Sequence, residues 1–492
     1  MEASLVVRQL RHLARRCHAA RWRGPWKPRS GACREAATQA TSVSSETAIG
    51  ILRLMQEQDQ ESSTRVASHE GEGVTGEVLS SSAGLSHVAL PGPVAVGQAV
   101  DMDGSLGVVL KYDKRNAVVA LTSGGVPRAG ASVKRRGILG LKMPASSGDT
   151  GGPVFVAAQD MLEAVSSGTR ALALPAMPPP HLRRPVCRHM PSGLAAAEAL
   201  LPFGEGHRVG LVGPPGTGKS TAARMLMQSQ SSDTVCVYAA QKPLSHLKDR
   251  FGSHHSAGAL TVVYADPHSD PVGVRYLAPL CAVQTALHLS ATHRHVLLVL
   301  DDIVAFTQTA AELSMPPFGA PQVLASALYA GGNAVRGAHE QAVSVVAVLD
   351  LEPEEEELPS SLRAVWRSME PALDIQLGFS ASLAAKGVLP AVALDGLLAA
   401  GFPPGYQSPL LRLLRGELLE ALRRSRDLAL KVELSRPLGL HVETQEEEEL
   451  CSAQVARALF AHAEPRSPPE LAVLLAAALV YRFPAARPPL AP

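Results

Sequence analysis

Between residues 191 and 388 short apolar runs alternate with stretches of helical period. The runs lie at 208–212, 234–239, 260–264, 295–300, 342–349 and 374–379. Most are too apolar to keep a solvent-facing side, so they read as strands buried on both faces with helices between them. That pattern predicts a mostly parallel sheet covered on two sides. From 66 to 160 the texture changes. Val- and Leu-rich pieces at 76–79, 87–90, 107–111, 117–121, 132–134 and 153–156 are separated by Gly-containing turns. Turn signals every ~8–12 residues predict a small all-β sandwich or barrel, with Pro153, after Gly151 and Gly152, at its exit. Residues 161–190 hold Pro175, Pro178, Pro179, Pro180 and Pro185 and read as an extended connector. Beyond 389, the stretches 410–426 and 447–463 carry Leu, Ala and charges at helical period, and 468–481 reads as a further helix. The expected architecture is an α/β domain at 191–388, preceded by a β-barrel at 66–160 and followed by an α-helical domain at 389–492.

Residues 1–45 have a different character. Arg8, Arg11, Arg15, Arg16, Arg21, Arg23, Lys27 and Arg29 recur, and Glu2 is the sole acid before Glu35. Leu5, Val6, Leu10, Leu13 and Ala14 fall close to helical spacing opposite the arginines. Arg-rich, acid-poor and amphipathic is the pattern of a mitochondrial import signal, with 46–65 as a linker. Composition narrows the partners. Of 492 residues 46% are hydrophobic, enough for a large core, and the formal net charge of +1 gives no global basic field for nucleic acid. None of Cys17, Cys33, Cys187, Cys236, Cys281 and Cys451 lies at C-x-x-C spacing, so a zinc site or redox pair is not expected. No apolar run approaches the roughly 20 residues of a membrane helix, so membrane association is expected only through partners. The acidic runs 354–357 and 446–449 read as solvated loops or helix starts.

The chemistry concentrates in one segment. Gly213, Pro214, Pro215, Gly216, Thr217, Gly218, Lys219 and Ser220 fit G-x-x-x-x-G-K-[ST] in full, after an apolar run and before a helix-like stretch that Thr221 opens. That strand–loop–helix context separates a P-loop from a chance match. Gly216 and Gly218 let backbone N–H groups wrap a phosphate, and the helix N-terminus adds favourable partial charge. Lys219 is expected to reach the outer phosphates and Ser220 to take one Mg²⁺ position. Asp301 and Asp302 close the run 295–300. An acid at the carboxyl end of a buried strand is where the second Mg²⁺-orienting group belongs, and Asp301 comes first. On this reading Lys219→Ala abolishes nucleotide-dependent stabilisation and leaves the fold intact.

These residues sit in a wider resemblance. The segment 191–206 leading into the loop resembles the approach segment of the rotary ATP synthase alpha and beta subunits. Tyr238-Ala-Ala-Gln-Lys242 is similar to the place where alpha subunits have Gln-Lys and catalytic beta subunits have a glutamate. Tyr276-Leu-Ala-Pro279, the paired aspartates in Leu300-Asp-Asp-Ile303, Lys134-Arg-Arg-Gly137 and Leu377-Gly-Phe-Ser-Ala-Ser382 also line up with alpha. The resemblance covers roughly 46–481. It implies a recombinase-like P-loop fold that binds ATP or ADP with Mg²⁺ at 213–221 and Gln241, a non-catalytic site. It further implies a heterohexameric ring with beta subunits around gamma, at the matrix face of the inner mitochondrial membrane. Gln241 is a poor general base, so the isolated chain is expected to show little or no ATPase activity. Three positions depart from the family. Where an arginine reaching the neighbouring site is expected the chain has Leu383, with Lys386 the nearest cation. The segment after Pro316 and Pro317 lacks the usual arginine, acid and tyrosine. Before Ser467 and Pro468 two glutamines are replaced by Ala463 and Pro465. Two alternatives fit parts of this pattern: an independent P-loop ATPase of the helicase or secretion-motor class, and a degenerate scaffolding paralogue of alpha.

Overall fold

The alternation of residues along the central strands sorts them into two cores. Val237 and Ala239, Val296, Leu298 and Leu300, and Val345, Ala347 and Leu349 point to one side of the sheet. Cys236, Tyr238 and Ala240, Leu297 and Val299, and Val346 and Val348 point to the other. A strand's period of two makes this division automatic, and it explains why the runs are mostly apolar on both faces, with few polar residues such as Thr234, His295 and Ser344 among them. The computed structural model describes residues 75–82, 84–92, 94–113, 115–144, 152–164, 170–171, 183–252, 259–313, 328, 331–336, 339–351, 360–399, 409–435 and 450. All of them belong to one unit, Glu72–Pro492. The expected import segment, the linker, the middle of the connector, the helix expected at 447–463 apart from Leu450, and the helix expected at 468–481 lie outside the described residues.

The N-terminal strands are β1 (Thr75–Ser82), β2 (Leu85–Ala89), β3 (Gln98–Met102), β4 (Ser105–Asp113), β5 (Asn116–Leu121) and β6 (Ser132–Leu141). They pair antiparallel in the order β1-β2-β5-β4-β3-β6, and β6 returns to β1, so the sheet closes on itself. Val78, Val88, Val100, Val109, Val119 and Val133 are among the residues filling its interior. Strand β3 is absent from the runs read off the sequence. It is set by the turn Asp103–Gly104, where both residues have positive φ (53° and 87°) and Gly104 N–H donates to Asp101 Oδ1 at 2.9 Å. Asp-Gly between apolar positions is a strong hairpin signal.

The run at 153–156 does not close the barrel. It is β7 (Val154–Ala157), and it pairs in parallel with β15 (Leu260–Tyr264) at the edge of the large sheet. A four-residue apolar run carries no periodicity that says which sheet will take it. Helix α1 (Ala158–Met161) follows, and β8 (Leu162–Ala164) and β9 (Arg170–Ala171) pair with the end of β6. The described parts of the expected connector also take short pairings: β10 (Arg183–Arg184) with β17 (Gly332–Arg336), and β11 (His189–Met190) with β12 (Phe203–Gly204).

The large sheet adds β13 (Arg208–Gly213), β14 (Thr234–Ala240), β16 (His295–Asp301), β18 (His339–Asp350), β19 (Ile375–Phe379) and β20 (Val392–Ala399). Its order is β20-β19-β13-β18-β16-β14-β15-β7, parallel from β19 through β7. β20 pairs antiparallel to β19, so the sheet continues past residue 388. Around it lie α2 (Ala195–Leu200), α3 (Lys219–Gln228), α4 (Leu244–Phe251), α5 (Val272–Leu289), α6 (Ile303–Glu312), α7 (Ser360–Met369) and α8 (Ala381–Ala385). Helix α9 (Pro409–Ser435) contacts α2 and β20. Helix α5 lies directly against the barrel: a Cβ on Gly273 would stand 2.3 Å from the carbonyl oxygen of Leu121. No helix among the described residues is long and apolar enough to cross a membrane.

At the opposite end of the strands from the P-loop, His295 joins three segments. Its Nδ1 and Nε2 lie 3.1 and 2.9 Å from the hydroxyls of Thr234 and Ser344, and Ser344 Oγ accepts the Gly206 N–H at 2.8 Å. Burial pushes the imidazole down to about 4. An unfolded chain protonates this group near its ordinary value of 6.5 while the folded chain does not, so stability falls as pH drops from about 6.5 toward 4. At pH 5 the loss is expected to be roughly 2 kcal/mol. His295→Gln, which can still hydrogen-bond and does not titrate, is expected to flatten this part of the profile. Urea midpoints of both chains at pH 7 and pH 5 check it.

Candidate nucleotide site

The loop 213–220 crosses from β13 to α3 at the carboxyl end of the parallel strands. Two residues hold its shape by conformation: Gly216 and Gly218 have φ of 77° and 86°, where a side chain would strain the backbone. Gly213 is needed for closeness, because a Cβ there would stand 2.6 Å from the carbonyl oxygen of Phe379 on β19. The segment entering β20 supports the loop from outside. Ala391 N–H donates to Thr217 O at 3.0 Å, and a Cβ on Gly218 would meet Pro390 Cα at 3.1 Å. Thr217 Oγ1 donates to Pro214 O at 2.8 Å, while Pro215 and Gly216 are exposed at the tip. Ser220 and Thr221 are half-buried in the first turn of α3.

Lys219 does not extend into solvent. Its side chain is 2% exposed, and Nζ donates to Gly213 O at 2.7 Å, to Pro214 O and to Thr217 Oγ1 at 3.3 Å. It also forms an ion pair with Asp350 Oδ1 at 2.6 Å. Lys219 is thus not a group that could contact only a phosphate: its ammonium also closes the loop, so Lys219→Ala is expected to cost some stability even without a ligand.

Asp301, at the end of β16, is 1% exposed. Its Oδ2 accepts from the Tyr238 hydroxyl, from Lys242 Nζ at 3.1 Å and from Arg250 Nη1 at 3.2 Å. Burial by itself would raise this carboxyl. Lys242, the Tyr238 hydroxyl and Arg250 more than offset burial, the Ser220 hydroxyl adds to them, and the group lies below the ordinary carboxylate range. The structure thus brings together the two expected Mg²⁺ positions, Ser220 and Asp301. The other carboxylate oxygen, Oδ1, is buried without a hydrogen-bond partner. An orphaned anionic oxygen beside a hydroxyl fits a hard cation that takes few protein ligands and keeps several waters. Asp302 takes another task. It caps α6, accepting the Val304 N–H at 2.8 Å, and burial, reinforced by Asp350 and Asp301, pushes its pKa up to about 7.

Gln241 is neither at the surface nor free at the loop. Its Nε2 donates to Arg275 O at 2.9 Å and its Oε1 accepts from Thr309 Oγ1 at 2.9 Å, tying the end of β14 to α5 and α6. Leu383 is half-buried in α8, and Lys386 behind it is exposed. Glu198 places its carboxylate on His189 at 2.7 Å and on Ser192. The segments around Pro316 and Ser467 lie outside the described residues. Asp350 and the cations on Asp301 were not expected at the site from the sequence. For Asp350 the signal was present, because it closes the run 342–349 as Asp301 closes 295–300. Arg250 had none, since it sits on a helix whose facing only the fold reveals.

A glycine-shaped loop at a helix N-terminus, a buried lysine and a hydroxyl–carboxylate pair at the mouth of a parallel sheet are the parts of a phosphate site. Residues 193–396, which contain every one of them, match the nucleotide-binding domain of the ATP synthase alpha/beta family.

Proposed function

We propose that the chain binds Mg-ATP or Mg-ADP at residues 213–221 as an alpha-type regulatory subunit of a proton-driven ATP synthase. In this reading it stands in a heterohexameric ring with beta subunits around gamma, on the matrix face of the inner mitochondrial membrane. The observation that carries the binding reading is the convergence of Lys219, Ser220 and Asp301 on one end of the sheet. Backbone amides of the loop and α3 face the phosphates, Lys219 adds a point charge, and Ser220 and Asp301 hold the cation. The bound Mg²⁺ would supply neutralising charge to the phosphate oxygens. The Gln241 amide is engaged on both sides, so it does not turn to orient a water, and Leu383 offers no charge to a neighbouring site. Both favour nucleotide as a structural and regulatory ligand over rapid hydrolysis. The independent-ATPase reading gains a carboxylate in the cleft, Asp350, which in this structure is paired with Lys219 at 2.6 Å.

The test is purification of the tagged full chain from its own cells. ATP synthase beta and gamma subunits are expected to co-purify with it, with beta in near-equal amount. A homohexamer of this chain alone that turns over ATP rapidly would replace this reading with the motor reading.

A further inference from the structure

The ion pair inside the loop has a consequence for how a nucleotide binds. An ammonium has three donors. Those of Lys219 are engaged by the carbonyls of Gly213 and Pro214, the Thr217 hydroxyl and the Asp350 carboxylate. The carbonyls and the hydroxyl belong to the loop that must cradle the phosphates, and they cannot leave without dismantling it. Asp350 can: its side chain is 34% exposed, so the carboxylate can be hydrated once released. It stands on β18, between the P-loop strand β13 and the acidic strand β16, in register with Gly213. From there it holds the same ammonium that a phosphate would have to reach.

Resting on the nucleotide-binding reading above, we propose that Asp350 is an internal competitor of the nucleotide for Lys219, and thereby a residue that sets affinity. A phosphate gains Lys219 by taking it from Asp350, and the released carboxylate then stands against the negative charge that displaced it. Like charges at this range in a partly buried cleft repel strongly. Magnesium on the phosphates reduces that repulsion, so the competition weighs most on the uncomplexed nucleotide. Asp350→Asn keeps the shape of the side chain and removes its charge, which relieves both effects.

The experiment titrates ATP, with and without Mg²⁺, into the full chain, Asp350→Asn, Asp350→Ala and Lys219→Ala, reading Kd by calorimetry and Tm by thermal denaturation. Asp350→Asn is expected to tighten Mg-ATP binding by about tenfold, and binding without Mg²⁺ by more. It is also expected to lower Tm in the absence of nucleotide, because the buried Lys219 loses its counter-charge. A loss of packing alone would lower Tm and would not tighten binding. In a Lys219→Ala background Asp350→Asn is expected to leave Tm unchanged. Nucleotide binding equal to or weaker than the natural chain's in both Asp350 variants overturns the competitor role and leaves the nucleotide site standing. Absence of binding in the natural chain and in both Asp350 variants overturns the site itself, and the proposal with it.

Discussion

Asp301→Leu is expected to lower folding stability by roughly 3 kcal/mol, the largest loss from any single change near the site. One carboxylate oxygen serves the Tyr238 hydroxyl, Lys242 and Arg250 together, at a position that is 1% exposed. Leucine has the same branched skeleton and is larger, so the cost does not come from a cavity. It comes from two cations that lose their common anion and from a buried phenol that loses its acceptor. Lys242 and Arg250 are 26% and 21% exposed and regain some hydration, which holds the loss toward the lower end for broken buried pairs. Asp301→Asn keeps an acceptor and removes the charge, and about half the cost is expected. The pH dependence distinguishes the two mechanisms. A carboxyl whose folded pKa lies below its unfolded 3.8 contributes stability that is present above about pH 4 and is lost as pH falls through the folded value. The natural chain should therefore lose this contribution below pH 4, and Asp301→Leu should have none to lose. Guanidinium midpoints at pH 7 and pH 3.5 measure both. Equal midpoints for Asp301→Leu and the natural chain at pH 7 would mean that the two cations hold no energetic stake in this carboxylate.

The same residue shows where the sequence is readable. Its position could be read from the one-dimensional pattern, because a strand buried on both faces must end, and the first acid after Leu300 must lie at the sheet's mouth. The six mostly apolar runs between 208 and 379 became β13, β14, β15, β16, β18 and β19 on a similar ground: short stretches so rich in apolar residues have few other uses. What surrounds Asp301 was not readable. Arg250 lies on α4, and the burial of Leu247 and Phe251, the latter edge-on against Tyr238 with ring centroids 4.9 Å apart, turns that helix so that the guanidinium meets the carboxylate. Gln241 illustrates the reverse case. Its place in the chain suggested a role toward the nucleotide, and its amide is held by Arg275 and Thr309, partners 34 and 68 residues away. Short elements failed for a different reason. β7 was legible as a run, but four residues do not say which sheet takes it, and β3 was signalled only by the Asp103–Gly104 turn that follows it.

Lys219→Ala is expected to weaken Mg-ATP binding by at least 100-fold, about 3 kcal/mol, and to remove the nucleotide-dependent rise in Tm. Unlike a surface lysine it will also cost the protein stability without any ligand. The side chain is 2% exposed, and its removal leaves the Gly213 and Pro214 carbonyls without their shared donor and Asp350 without its cation. Asp350 can turn to water and the carbonyls only partly, so roughly 1–2 kcal/mol is expected. Lys219→Met separates the two contributions. It restores the apolar stem and leaves the carbonyls unpaired, so its stability should fall between alanine and the natural chain, while its nucleotide response should be as absent as alanine's. If instead Lys219→Met binds Mg-ATP like the natural chain, the phosphates do not reach this ammonium. The loop would then owe its shape to Thr217, the two glycines and the Pro390–Ala391 support alone, and the buried lysine would be a strut within it.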